Sequence, residues 1–480
     1  MELTIKLAQQ RSHMEVPMGT NLLEALRSGG FIVDAPCGGR GTCGKCKVTV
    51  DGVEMLACQT TVHRDMTVEL PEIGRDSILT AGISVASGLS GGCHVAFDIG
   101  TTTIAGFLID GSGQALCSES CENPQRAYGA DVISRIQYAI KTDGTVQTHL
   151  IRQCLSRMIT AMCQKCGVDE ENIQILSIVG NPAMQQLFLG ISPENLAKLP
   201  FTPVLTQMQE VAAKEYLPCL PNAKLLIVPD ISGFVGADTM ACLLSTDLGT
   251  QKDWTLLVDI GTNGEMVLGN KDRMVASSTA AGPALEGANI SCGMRGRPGA
   301  IDHVWIENGT LRCSTIGGLP AEGICGSGLI DAAAAALELG LINSRGRVQT
   351  EDHCIHLTEQ VVLTQEDIRQ LQLAKGAIAA GIQLMAEHLE IETEDIRKVF
   401  LAGAFGTFMD PSSACRIGLL PPELEGRIEA VGNAAGSGAK LLACDPEAGN
   451  RVKALMEKTE FLELASIADF QYVFAENMTF

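Results

Sequence analysis

Positive charge is scarce in this chain. Its 480 residues carry 35 Lys and Arg against 56 Asp and Glu, a formal net charge of −21. A protein this acidic repels phosphate backbones, which argues against nucleic acid as a partner. The N-terminal MELTIKLAQQ lacks the basic and apolar pattern of an export signal. Long apolar runs are missing too. The most apolar helical stretch, 329–342, is interrupted by Asp331 and Glu338 and is too short to span a bilayer. The eight His show no H-E-x-x-H or other ligand spacing, and no G-x-x-x-x-G-K-[ST] run is present, which excludes a P-loop. The expectation is a cytoplasmic protein that does not engage membrane or nucleic acid.

Glycine and cysteine are plentiful instead. The 51 Gly exceed the usual share of roughly 7%, so tight turns and close backbone approaches are expected. The 18 Cys, scattered through a chain with no export signal, read as thiols and cluster ligands rather than disulfides. That usage suits an anaerobic cell. Residues 1–74 hold 7 basic and 9 acidic side chains, so nearly all of the negative charge lies in the rest.

The N-terminal part alternates like a strand at 2–7 and again at 47–53 and 67–70. Between them, Thr20 is positioned to cap a helix over 21–28 that carries Leu22, Leu23 and Leu26 on one face. The loop CGGRGTCGKC and the later ACQ place Cys37, Cys43, Cys46 and Cys58 at C-x5-C-x2-C-x11-C. Four thiolates are the ligand set of a [2Fe–2S] cluster, and Gly38, Gly39, Gly41 and Gly44 allow the backbone to wrap it. Zinc knuckles favour C-x2-C pairs, and the first gap here is five. The order of strand, helix, Cys loop and strands suits a β-grasp ferredoxin. Its first gap resembles the adrenodoxin type, while the final gap of eleven is short for that type and for the plant type. Residues 75–92 are small and rich in Gly and Ser and read as a linker.

From residue 93 onward strands and helices alternate, the α/β signature. VAFDIGTTTIAGFLID (95–110) and LLVDIGTNGEMVLG (256–269) are one unit used twice, about 160 residues apart, which points to two similar lobes at 93–230 and 231–480. Each is expected to be a β-hairpin whose Gly100 or Gly261 permits the sharp turn. Thr101, Thr102 and Thr103 in one, and Thr262 and Asn263 in the other, offer N–H and hydroxyl donors to phosphate oxygens. Asp98 and Asp259 stand at the strand ends, where carboxylates hold Mg²⁺ through waters. Helices are expected over 129–140, 149–166, 236–245, 326–339 and 365–389. Cys163 and Cys166 form a C-x2-C, for which buried thiols and a second metal are both open readings.

A third motif, LAGAFGTFMDP (401–411), contains Gly403, Ala404, Phe405 and Gly406. It resembles the adenosine-binding turn of the actin, Hsp70 and sugar-kinase (ASKHA) superfamily, in which the two hairpins are the phosphate motifs. The resemblance implies ATP as ligand. It makes 229–238 and 322–337 the two connecting helices, puts 432–441 beside the adenine and lays 280–290 across the cleft.

The fusion of a two-iron ferredoxin to this ATPase fold resembles the reductive activators of corrinoid proteins. CGGRGTCGKC, LACQT, FDIGTTT, NPQRAYGADVISRI, VGNPAM, VDIGTNGEM, GICGSGLID and LAGAFG carry the resemblance over nearly the whole chain. It implies ATP-dependent one-electron reduction of Co(II) to Co(I) on a corrinoid protein. An upstream electron donor would supply the cluster, and a homodimer is compatible with the sequence. Longer family members carry a further small domain where this chain has the 75–92 linker. Three other classes fit parts of the sequence. One is another ATP-driven activase, such as those of 2-hydroxyacyl-CoA dehydratases, which lack an N-terminal ferredoxin. Another is a small-molecule kinase with a redox domain. The last is an electron carrier on a degenerate ATPase scaffold.

Overall fold

The computed structural model describes residues 1–7, 10–29, 31, 33, 46–70 and 92–480. The N-terminal unit is a mixed five-stranded sheet ordered Gln10–Glu15, Glu2–Leu7, Met66–Glu69, Lys47–Val50, Val53–Leu56. The first and last strands in sequence run parallel, the β-grasp arrangement. Alternation in the first strand turns Leu3 and Ile5 inward, where they meet Leu22, Leu23 and Leu26 of the helix Leu22–Ser28. The helix starts one residue later than the sequence pattern suggests, so the cap moves as well. Asn21 Oδ1 accepts from the N–H of Leu23 at 3.0 Å and Glu24 at 3.4 Å. The Thr20 hydroxyl donates to Pro17 O instead. The alternation over 47–53 is a hairpin rather than one strand. It reverses at Asp51 (φ 49°) and Gly52 (φ 86°), an Asp-Gly pair of the primed-turn kind.

Beyond residue 92 the chain builds two six-stranded sheets of matching design. The first runs Gln209–Ala212, Lys224–Ile227, Ile173–Gly180, Cys93–Ile99, Thr103–Asp110, Ala115–Glu122. The second runs Ile428–Gly432, Lys398–Ala402, Thr255–Ile260, Gly264–Gly269, Met274–Thr279, Thr459–Phe461. In each, the strand carrying Asp-Ile-Gly-Thr pairs antiparallel with its successor and parallel with a later strand. These central strands are covered on both faces, so they read as apolar runs rather than as alternation.

Two helices lie between the sheets, Ala237–Thr246 and Ala434–Cys444. They share a core with Ala96 and Phe107 of one sheet and Leu257 and Val267 of the other. The pair packs so tightly that a Cβ on Gly438 would collide with the Ala241 carbonyl. The expected second connecting helix, 322–337, lies elsewhere. Gly326–Glu338 packs beneath the strand Ala300–Glu307. Small residues were the signal for close packing, and 434–444 carries that signal equally. Among the described residues, no helix is long and apolar enough to cross a membrane.

Candidate functional site

The two hairpin turns face one another across a cavity of about 600 Å³. Asp98 and Asp259 are each the penultimate residue of their strand, and both line it. Gly100, Thr101, Thr102 and Thr103 from one turn and Gly261, Thr262 and Asn263 from the other complete that wall. The glycines serve different ends, and neither has positive φ. A Cβ on Gly100 would lie 2.8 Å from Thr103 O, so the turn closes on it. A Cβ on Gly261 would meet nothing nearer than 3.8 Å, so its bare backbone leaves room in the cavity.

The first turn is braced from outside. Asn123 Nδ2 donates to Gly100 O at 2.8 Å, and its backbone N–H donates to Thr102 O at 2.9 Å. Asn181 Nδ2 donates to Thr101 Oγ1 at 2.9 Å, leaving that hydroxyl's own proton for the cavity. Across the cleft, Glu286 Oε2 accepts from Thr102 Oγ1 at 3.4 Å and from Thr262 Oγ1 at 3.2 Å. Arg295 adds an ion pair to Glu122, which also holds Arg126 at 3.1 Å. Within 280–290, the Glu286 side chain thus reaches the first lobe, while Ala281, Ala284, Leu285 and Ile290 pack in the core of the second.

The third motif folds as strand Lys398–Ala402 followed by helix Gly403–Phe408, which contains Ala404. Gly403 and Phe405 line the cavity, as do Asn433, Ala434 and Ala435 at the start of Ala434–Cys444. Gly406 does not line it; its Cβ position faces Leu401, making it a packing glycine rather than a ligand contact. At Gly403, φ is +85° and a Cβ would sit 2.6 Å from Asp259 Oδ1. Gly403→Ala is therefore expected to destabilise the protein by about 1–3 kcal/mol. It should also weaken nucleotide binding, read from urea unfolding and equilibrium dialysis.

Four carboxyls crowd the cavity floor. Burial raises Asp98 to about 7, helped by Asp238 and Asp259 and opposed by a hydrogen bond from Asn433. Burial raises Asp238 to about 7, partly offset by the Thr239 N–H. Asp259 rises to about 6 through burial, with the Cys242 thiol opposing. Burial, with Asp238 and Asp259, pushes Glu265 well up. Without a cation, these groups retain protons that the unfolded chain has lost between about pH 4 and 7. Stability of the ligand-free protein is then highest below that window and falls as pH rises through it. Thermal unfolding from pH 4.5 to 8 in chelator should show this decline, and Asp98→Asn should flatten it. A midpoint rising across the window would contradict the reading.

Asp238 and Glu265 were not singled out from sequence, although both lie in quoted motifs. Glu265 faces Asp259 in the hairpin register, two residues past the turn. Among the described residues, no three His, Cys, Asp or Glu converge closely enough to hold a metal ion alone. A Mg²⁺ ion would need waters or phosphate oxygens to complete its shell, which is its habit. Cavity size, uncompensated carboxyls and hydroxyl donors fit a nucleotide with its metal.

In the ferredoxin unit, Cys37 and Cys43 lie outside the described residues. Cys46 is buried and Cys58 half-buried, with their sulfurs 3.2 Å apart. A disulfide would need about 2.05 Å. The Cys46 thiol donates to the Cys58 sulfur, so the pair is unbridged and close enough to converge on one metal. Cys58 sits in the short helix Ala57–Gln59, fixed by Asn21 Nδ2 donating to its carbonyl at 2.8 Å and by Ala57 N–H donating to Cys46 O at 2.8 Å. In the first lobe, Cys163 is buried within the helix Thr145–Cys166, and Cys121 lies 3.3 Å from Cys154, sulfur to sulfur.

These arrangements define a two-iron ferredoxin unit joined to an ASKHA-type nucleotide-binding fold. Comparison with known proteins agrees over the whole chain. Residues 5–65 match the 2Fe-2S iron-sulfur cluster binding domain, 93–251 the RACo middle region, and 253–480 the C-terminal ASKHA domain of RACo. The corrinoid activation enzyme RamQ of Eubacterium limosum is 37% identical over 80% of this chain and 70% of its own length. The [Co(II) methylated amine-specific corrinoid protein] reductase of Methanosarcina barkeri is 28% identical over 68% of this chain and 65% of its own length. A solved structure titled reductive activator for corrinoid, iron-sulfur protein superposes with a TM-score of 0.72 at 27% identity, covering 99% of this chain and 98% of that one. The chain belongs to the RACo family of reductive activators of corrinoid proteins.

Proposed function

We propose that this protein uses ATP to drive one electron from a [2Fe–2S] cluster onto a corrinoid protein, returning inactive Co(II) to Co(I). The observation that carries the reading is the joining, in one chain, of the paired Cys46 and Cys58 thiols to the two-hairpin cavity. Residues 1–74 would be the cluster domain, 75–92 the tether, and 93–230 and 231–480 the two lobes. Cys37, Cys43, Cys46 and Cys58 would hold the cluster, which supplies a single low-potential electron when loaded by an upstream donor.

ATP is needed because Co(I) is more reducing than a plant-type cluster near about −400 mV. Each 59 mV of unfavourable gap costs a factor of ten in a one-electron equilibrium. The lobes can offset this if closure on nucleotide changes how the corrinoid protein is bound. Asp98 and Asp259 would orient Mg²⁺ through its waters. The hydroxyls of Thr101, Thr102 and Thr262, with the turn N–H groups of Thr103 and Asn263, would hold the phosphates. The bare backbone of Gly261 lets them approach, while Gly100 closes the first turn. Gly403 and Phe405, with Ala404 between them, would border the adenosine end.

The reading is tested by ATP turnover measured with and without a Co(II) corrinoid protein. Stimulation several-fold by a cognate partner is expected. Phosphoryl transfer to a small molecule, with no response to any corrinoid protein, would favour a kinase instead.

A further inference from the structure

One carboxylate in the cavity is placed differently from the rest. Asp98, Asp238, Asp259 and Glu265 crowd one another, where a cation would be needed to balance them, and Asp302 accepts from Ser314 Oγ at 2.9 Å. Glu286 instead meets the tips of both phosphate turns, through Thr102 and Thr262. Its backbone is clamped from several sides. Glu286 ends a short turn, Pro283–Glu286, flanked by Gly282 and Gly287, both at φ +77°. A Cβ on Gly287 would collide with Met294 O, and one on Gly326 with Leu285 O. Ala284 and Leu285, the two residues before Glu286, are buried. The Glu286 carboxylate also acts on the charge of the buried Arg135 guanidinium, and its side chain reaches a hydroxyl on each of the two hairpin turns.

Resting on the ATP-hydrolysing reading above, we propose that Glu286 is the general base of hydrolysis. In the ligand-free state Glu286 Oε2 occupies the two threonine hydroxyls. When the terminal phosphate lies between the turns, those hydroxyls donate to its oxygens and the carboxylate is released. It then accepts a hydrogen bond from the attacking water. The water oxygen forms a bond to the γ-phosphorus as the bond to the β–γ bridging oxygen breaks. ADP leaves with that electron pair, and the water proton passes to Glu286. General-base assistance of this kind is worth typically 10²–10⁴-fold in rate.

The test uses the full-length protein with its cluster, in four forms: wild type, Glu286→Gln, Glu286→Asp and Glu286→Ala. Hydrolysis of Mg-ATP and equilibrium binding of Mg-ADP are measured on each. Glu286→Gln keeps an acceptor for both hydroxyls and is expected to lose at least about 100-fold in kcat. Its Mg-ADP affinity should stay within about threefold of wild type, and formate should restore part of the Glu286→Ala rate. Glu286→Gln turning over within about threefold of wild type would overturn the assignment. So would equal losses of nucleotide affinity and kcat in Glu286→Gln and Glu286→Asp, which would mark a merely structural strut. If wild type itself binds no ATP, the broader functional reading fails instead.

Discussion

Asp98→Ala is expected to lower ATP hydrolysis by about a thousandfold or more and to leave the visible spectrum of the cluster unchanged. Metal-assisted stabilisation of a transferring phosphoryl group is worth several kcal/mol, and each 1.36 kcal/mol is tenfold in rate. Asp98 is the member of the acidic group that projects from the first hairpin, with Asp238 and Asp259 close enough to raise it. Removing it takes away a cation partner and also relieves crowding of like charge. Ligand-free stability at pH 8 should therefore be equal to or higher than wild type, the pattern of a residue kept for function at a cost in stability. The ferredoxin sheet has its own core, built from Leu3, Ile5, Leu22, Val48 and Val68. Nothing in that core depends on Asp98. Loss of ATP turnover and cluster together would contradict this division of labour. The two assays, phosphate release and visible absorbance of the cluster on one preparation, are sufficient to decide.

Cys58→Ala should give the opposite pattern. Cluster absorption and bound iron should be lost, with basal ATP hydrolysis within about twofold of wild type. Four thiolates are required, and the Cys46 sulfur 3.2 Å away would lose its neighbour. The metal's binding energy contributes to folding, so the N-terminal unit should also unfold at lower temperature. Retention of two irons per chain would mean that another thiol completes the set. That outcome is the one at stake in the short eleven-residue gap before Cys58.

Much of this was legible in the sequence because it is local. Both Asp-Ile-Gly-Thr hairpins declare themselves by apolar strands on either side of a polar turn, and they fold as expected. The helices Thr145–Cys166 and Gln365–His388 follow from long periodic runs. Small misreadings were local too. The choice between Thr20 and Asn21 as cap turns on one residue of helix onset, and either side chain could serve. What pattern reading did not single out is non-local. Glu286 lies 184 residues from Thr102, and nothing in AAGPALEGANI distinguishes its Glu from an ordinary solvated one. The pairing of Ala237–Thr246 with Ala434–Cys444 depends likewise on which of several small-residue stretches meets Ala241, a matter that topology decides.

The central claim is tested most directly by anaerobic spectroscopy of cobalt. The protein, its cluster reduced, is mixed with a Co(II) corrinoid protein, and Co(I) absorbance is followed with and without Mg-ATP. Co(I) forming only when Mg-ATP is present is the expected result. No Co(I) with any corrinoid partner, from protein with an intact cluster and measurable ATP turnover, would contradict the account.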